Sequence, residues 1–342
     1  MVLRTFAMLE AICLNGCPPF IPMRLAIVSD IHYAGAGERE RVDYPYVGIQ
    51  GPVRRFLTWQ YRHWIWQRDP FVHNHLLDRF IEATANVDLA VANGDYSCDS
   101  AGIGVADGPS CDSARECLGK LRAAFGARFR AVIGDHELGK MMMSSGRGGL
   151  RLESFERSRE ELHLDPFWRV DVGRYVLMGV TSTLLALPIY ETEALPHERS
   201  RWRELRERHV VEIHAAFGSL APEERVLLFC HDPSALPFLW REEVVRAKLA
   251  QVERTIIGHL HTPLVLRLGL GLSGMPEIRF MGHTPRRLSR ALREARLWKP
   301  FKPLLCPSTP GSQLLKDGGF YLVELDEEAR RPAQFEFRAL PW

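Results

Sequence analysis

RLAIVSDIH (24–32) is a short, nearly continuous apolar run that stops abruptly at an acid and an imidazole two residues apart. Such a run is the pattern of a strand buried on both faces. The same device returns along the chain. VDLAVA (87–92) runs into Asn93-Gly94-Asp95, FRAVI (129–133) into Gly134-Asp135-His136-Glu137, RVLLFC (225–230) into His231-Asp232, and RTIIG (254–258) into His259-Leu260-His261. RYVLMGV (174–180) is a further apolar run of this kind. Helical patterns fall between them at 71–85, 112–126, 198–219 and 240–250, while LVLRL (264–268), GFYLVEL (319–325) and QFEFR (334–338) read as closing strands. Strands interleaved with helices predict an α/β sheet whose faces are covered. Segments 33–70 and 269–303 break this rhythm and read as insertions in a domain spanning 23–342. Residues 1–22 read as an N-terminal extension, because Met23 immediately precedes the first good strand.

Composition narrows the class. Across 342 residues, 46% apolar and 25% charged side chains are ordinary globular usage, which excludes a disordered chain or a coiled coil. A net charge of +2 gives no uniform electrostatic case for nucleic acid. The charge is unevenly spread, however. Residues 51–68 hold four Arg and no acid, and residues 284–303 hold seven basic residues against one Glu, which leaves about −8 on the remainder. Two basic islands therefore stand on an acidic body. The seven cysteines are scattered with no C-x-x-C pair, so neither a disulfide framework nor a zinc ribbon is indicated, and a reducing cytosol is the default. No apolar run reaches the ~18 residues a membrane span needs. A cytoplasmic protein follows, with peripheral membrane contact as the open variant.

In open α/β sheets the carboxyl ends of the strands form the site, so the strand-end acids and imidazoles should converge. Asp30, His32, Asp95, Asp135, His231, His259 and His261 in one place would repel or stay unsatisfied without something cationic among them. Mixed oxygen and nitrogen donors suit Zn, Mn or Fe rather than Ca. Seven ligands are too many for one ion but fit two ions that share a bridging carboxylate. Such a pair activates water and stabilises both oxygens of an in-line displacement at phosphorus.

The ordered string closely resembles the calcineurin-like metallophosphoesterase family, whose motifs are D-x-H, a G-D pair, G-N-H-[ED], a lone His after a strand, and G-H-x-H. Here they read Asp30/His32, Gly94-Asp95, Gly134-Asp135-His136-Glu137, His231 and Gly258-His259-Leu260-His261. CPSTPGS (306–312) also looks like the family's C-terminal end. The resemblance implies a sandwich of two mixed β-sheets flanked by helices, here with two inserted cap-like segments. It implies two metal ions (Mn, Fe or Zn) and hydrolysis of a phosphomonoester or phosphodiester by a metal-bridging hydroxide. Asp30, His32 and His261 would hold one ion, His231 and His259 the other, and Asp95 would bridge them. His136 would stand off the metals near the leaving group as general acid or transition-state stabiliser, and Glu137 would orient it by a hydrogen bond. The chain departs from the family at Asp135, where the family has Asn. Read as a ligand, Asp135 lowers the charge of the loaded site by one. A non-catalytic scaffold on the same fold is the competing class, though the chain keeps a metal-capable residue at every position. A nucleotide or nucleic-acid phosphodiesterase is a third, with only the basic islands in its favour.

Other candidates carry bland readings. His73-Asn74-His75 opens a helix and resembles a nuclease triplet by letters only. His283 reads as a turn residue, Met141–Met143 as loop filler, and Cys98, Cys111 and Cys230 as unreactive small apolar residues. Asp99 could hydrogen-bond a ligand. Segments 54–68 and 286–299 interleave Arg with Trp or Leu, a pattern for lying on an anionic membrane surface or lipid phosphate. The alternative, favoured here, is a cap that packs its Trp on the catalytic domain and turns Arg toward substrate phosphate.

Overall fold

The computed structural model describes residues 22–41, 43–142, 145–278 and 283–341. The extension read at 1–22 thus falls, but for Pro22, outside the described residues, as does Met143. Ten strands form two five-stranded sheets. In the first, β1 (Met23–Val28), β2 (Leu89–Ala92) and β3 (Phe129–Ala131) run parallel, while β9 (Gly319–Leu325) pairs antiparallel with β1 and β10 (Gln334–Ala339) antiparallel with β9. In the second, β4 (Phe167–Val172) is antiparallel to β5 (Tyr175–Val180), and β6 (Arg225–Cys230), β7 (Val252–Ile257) and β8 (Pro303–Leu305) continue in parallel. Both sheets are mixed and both are flanked by helices, the architecture that the family resemblance implies.

The continuous apolar runs are explained by two cores. Successive side chains of a strand point to opposite faces. Leu25, Ile27, Leu177, Leu227 and Phe229 meet between the sheets. Ala26, Val28, Val176, Met178, Val226 and Leu228 face outward onto the helices, beneath Leu76, Leu77 and Phe80 on helix His75–Ala83 and Leu118 and Leu121 on helix Gly108–Phe125. The Trp168 indole of β4 crosses the interface, packing 5.5 Å from Phe229 at a tilt of 38° and donating to the Ala131 carbonyl of β3 at 2.8 Å.

Several expectations are corrected. LVLRL (264–268) is not a strand but lies in helix Pro263–Gly271. Thr262 caps it by accepting the Val265 N–H, and Pro263 supplies the preset φ of a first turn. The pattern read as one helix at 240–250 is two short helices, Leu236–Arg241 and Glu243–Ala247, separated by an extended Glu242. Strands β4 and β8 and helix Leu152–Glu160 went unread. His283, expected in a turn, opens helix His283–Arg293.

The two basic segments part ways. Leu292, Ala295 and Trp298 of 286–299 are buried in the helix-side core, so this segment packs its Trp inward as expected of a cap. Of the three Trp in 54–68 only Trp66 packs inward, while Trp59 and Trp64 are exposed, against the expectation of a cap that buries its Trp.

Phe229→Ala should cost about 3–5 kcal/mol, the usual range for emptying a buried aromatic site. Urea unfolding checks it, with a lowered midpoint and an unchanged slope as the expected outcome.

Candidate metal centre

Each candidate ligand stands just past the carboxyl end of a strand. Asp30 and His32 follow β1, Asp95 follows β2, Asp135 follows β3, His231 follows β6, and His259 and His261 follow β7. The chain turns sharply to bring them inward. Five of the seven, Asp30, His32, Asp95, His259 and His261, have φ between 49° and 60°. That left-handed conformation costs an L-residue roughly 1–2 kcal/mol, and Asp and His are among the few side chains found there with any frequency. Both outer residues of the D-x-H and H-x-H motifs are turned this way.

Glycines make the approach possible. Gly94 has φ of +95°, and a Cβ there would lie 2.8 Å from both the Gly134 Cα and the His231 Nδ1. A Cβ on Gly258 would lie 2.1 Å from the Ser29 Oγ and 2.3 Å from the Asp30 Oδ2.

The seven side chains gather into two groups. Asp95, Asp135, His231 and His259 place one ligand atom each within 4.8 Å of one another, and so do Asp30, His32 and His261. Asp95 also falls within reach of His32 and His136. Two carboxylates divide their oxygens alike. Asp30 Oδ2 accepts from the Ser29 hydroxyl and the His259 backbone N–H, and Asp95 Oδ1 accepts from the His136 backbone N–H. Asp30 Oδ1 and Asp95 Oδ2 are buried with no hydrogen-bond partner. The imidazoles are fixed in tautomer by what they touch. His231 Nδ1 lies 2.6 Å from the Asn93 carbonyl and His32 Nδ1 3.2 Å from the Ser97 carbonyl. Carbonyls only accept, so each Nδ1 carries a proton and, in the neutral ring, Nε2 offers the lone pair. His231 Nε2 then faces Asp135 Oδ1 at 3.0 Å and Asp95 Oδ2 at 3.2 Å, and His32 Nε2 faces His261 Nε2 at 3.3 Å.

Lone pairs directed at lone pairs call for positive charge. The titrations lean the same way. Against burial, the Asp95 and Asp30 carboxylates pull His231 well above the ordinary imidazole range. Burial and the His32 ring hold His261 well below it, so protonation of His261 does not relieve Asp30. The donor set, carboxylate oxygen and imidazole nitrogen on two adjoining groups, fits two transition-metal or zinc ions.

Lys140 went unread in the sequence. Its Nζ lies 2.7 Å from Asp135 Oδ2, while Asp135 Oδ1 is turned to His231 and to His259 Nδ1 at 2.9 Å. Burial alone would raise Asp135, but His259 and Lys140 hold it well below the usual carboxylate range. The extra negative charge that Asp brings is thus matched by an ammonium, and the charge deficit expected from Asp135 is corrected. The signal was available: a Lys five residues after an acid that stands where the family has an amide.

Glu137 also departs from expectation. In place of the expected hydrogen bond to His136, its oxygens accept the backbone N–H groups of Gly134, Asp95 and Tyr96. It thereby ties the loop carrying Asp95 to the one carrying Asp135. Burial and the nearby Asp95 push it up to about 8. The His136 ring packs 4.6 Å from that of His32, with Nε2 3.7 Å from Asp95 Oδ2, and burial pushes its pKa down to about 3. Asp99 does not hold a ligand histidine: Ser97 does, through its carbonyl, while Asp99 Oδ1 accepts the Gly104 N–H. Asn74 of the nuclease-like triplet clamps the backbone of Ala34 from both sides. Cys98 is buried and its thiol pushed far up by burial, in keeping with an unreactive role. Trp66 from the first insertion packs 4.7 Å from the His261 ring.

The model of the family described as calcineurin-like phosphoesterase matches residues 23–263. Among solved structures, a dimetal phosphatase from Danio rerio superposes with a TM-score of 0.50 at 13% identity, covering 93% of this chain and 97% of that one. A purple acid phosphatase from yellow lupin (Lupinus luteus) seeds gives 0.39 at 11% identity, covering 94% and 52%. At these identities the first is a likeness of fold, and the second adds no argument. No curated protein matches the chain.

Glu137→Gln keeps the shape but sets an amide NH₂ against at least one of three backbone donors. It should destabilise the fold by about 1–3 kcal/mol, the cost of leaving buried polar groups unpaired. Urea unfolding of the variant beside wild type measures it.

Proposed function

The chain belongs to the calcineurin-like phosphoesterase family, and from that premise we propose that it is a two-metal phosphoester hydrolase acting on a phosphomonoester or phosphodiester. The observation that carries this reading is the pair of buried carboxylate oxygens, Asp30 Oδ1 and Asp95 Oδ2, that have no hydrogen-bond partner and face the Nε2 atoms of His261 and His231. Asp30, His32 and His261 would hold one ion, and Asp135, His231 and His259 the other. Asp95 would be the shared ligand, a reading supported by its grouping both with Asp135, His231 and His259 and with His32 and His136. Zn, Mn or Fe held there would supply the charge that activates a water and neutralises the oxygens of the phosphoryl group.

The remaining work falls to the protein. The carbonyls of Asn93 and Ser97 hold the His231 and His32 rings so that Nε2 faces inward, which fixes both orientation and basicity. His136 is neutral at physiological pH, so it acts as a hydrogen-bond donor to the leaving oxygen rather than as a resting imidazolium. Its charge state leaves Asp95 free of a permanent ion pair. Glu137 positions the two loops and does not touch substrate. Lys140 makes the Asp135 carboxylate equivalent, in charge and in donor pattern, to an amide: one oxygen is directed at the imidazoles and an N–H donor lies beyond the other.

Elemental analysis and turnover of phosphate esters with added Mn, Fe or Zn test the proposal together. Asp95→Ala should lose both ions and all turnover. His136→Ala should keep the ions and slow turnover by ~10²–10⁴, the range for a lost proton-transfer or transition-state contact. Full metal occupancy in Asp95→Ala would overturn the shared-ligand assignment. A wild type that binds metal but turns over no ester would be a scaffold.

Asp135→Asn alone leaves the Lys140 ammonium facing the ions, so metal affinity should fall by about 10–100-fold, as for loss of an outer contact to a ligand. Asp135→Asn combined with Lys140→Gln should recover most of that loss. Calorimetric titration with Zn or Mn decides it. A double variant no better than the single one removes charge compensation as the role of Lys140.

A further inference from the structure

The helix Pro52–Trp64 is amphipathic, and it is mounted backwards. An amphipathic surface helix ordinarily turns its apolar stripe to the core. Here Val53, Phe56, Leu57, Tyr61 and Trp64 lie within about 140° of arc at 100° per residue, and every one is exposed, at 46–69%. No residue of the helix is buried. Its half-buried positions are polar, Thr58, Arg62 and His63 off that stripe and Gln60 within it, and the Arg62 guanidinium lies 5.7 Å from the Tyr44 ring centre. The neighbouring helix Pro263–Gly271 carries a second apolar stripe, with Leu264 and Leu268 exposed one turn apart and Leu272 exposed just beyond. The two helices are anchored at one point. The first ends two residues before Trp66, the second begins two residues after His261, and those two rings are in contact.

We propose that the outward apolar face of helix Pro52–Trp64 docks this protein on the surface of an anionic lipid bilayer. Charge selects that occupant. Arg54, Arg55, Arg62 and Arg68 are accompanied by no acid from 51 to 68, and none of the described ion pairs includes them. The rest of the chain, apart from the second island, is acidic. An anionic surface would therefore draw this helix in and repel the body, which sets the orientation as well as the contact. A second copy is disfavoured on the same ground, because a two-fold contact would set Arg54 and Arg55 against their own counterparts. Tyr61 and Trp64 have the apolar body and polar edge suited to the headgroup level. The second basic segment does not share this role. Leu292, Ala295 and Trp298 of its apolar face are buried, leaving Leu288 alone of that face exposed, and Arg287 is pinned by Glu193 at 2.9 Å and 3.0 Å. The docking surface thus stands independently of the chemistry of the site.

Sedimentation of the full chain with phosphatidylcholine vesicles, with and without phosphatidylglycerol, tests the proposal. At low salt the wild type should pellet with the anionic vesicles and stay in solution with the neutral ones. Phe56→Ser with Trp64→Ser should cut the bound fraction about 10-fold or more. Arg54→Gln with Arg55→Gln should weaken binding and flatten its salt dependence. Neither pair touches the core, so unchanged thermal unfolding controls for folding. A wild type that ignores anionic vesicles at low salt overturns the proposal. So does a wild-type dimer that Phe56→Ser with Trp64→Ser dissociates, which would give the face to a second copy. Vesicle binding without ester turnover would leave docking intact and defeat the hydrolase reading, and the reverse result would do the opposite.

Discussion

Buried acceptors that confront one another are the constraint on which the rest of this structure depends. Three carboxylates and four imidazoles cannot share so small a volume on their own account, and every nearby peculiarity serves to keep them there. Five left-handed residues turn the side chains inward. Glycines at 94, 134 and 258 clear the space, each where a Cβ would strike a ligand or its loop. Glu137 gathers three backbone donors so that the Asp95 loop cannot relax. Strain of this kind persists only where the surroundings over-determine it, and here the two packed sheets supply that rigidity.

Much of this is legible in the chain itself. The strands can be read because both faces of each sheet are covered, so burial leaves unbroken apolar runs with a hard polar stop. The stop marks the candidate site. The grouping of the ligands is what the family resemblance implies. What cannot be read depends on contacts across the fold. DHELGK sets Lys140 five residues after Asp135, but that it turns back onto the carboxylate depends on how the loop after His136 closes. Glu137 looks like a partner of the adjacent His136, yet its donors come largely from the loop that carries Asp95 and Tyr96. LVLRL carries Val and alternating Leu, which suit a strand, but Thr262 and Pro263 together outvote them by capping and starting a helix. β8 is hidden in a basic segment because only three residues of it pair.

The two insertions show why pattern alone does not fix orientation. Both alternate Arg with large apolar side chains at helical spacing. One lays Leu292 and Trp298 into the core, and the other holds Phe56 and Trp64 out to solvent. Sequence spacing places an apolar stripe on one side of a helix, whereas the way that side faces relative to the body is a tertiary fact. Arg62 over Tyr44 and Trp66 against His261 are what settle it for the first insertion.

The pairing of β1 with β9 has a bearing on how the chain is made. Strand β1, the first among the described residues, takes its antiparallel neighbour from residues 319–325, far along the chain from it. Until then one edge of β1 has unpaired amides beside an exposed apolar face, and Asp30 lies at its end. The second sheet, with its histidines, can assemble from contiguous sequence in the meantime. Completion of the first must wait for a long-range closure, which is intrinsically slow and leaves an open edge at risk of intermolecular pairing. A nascent chain of this topology is therefore a natural client for chaperones that shield strand edges on the ribosome.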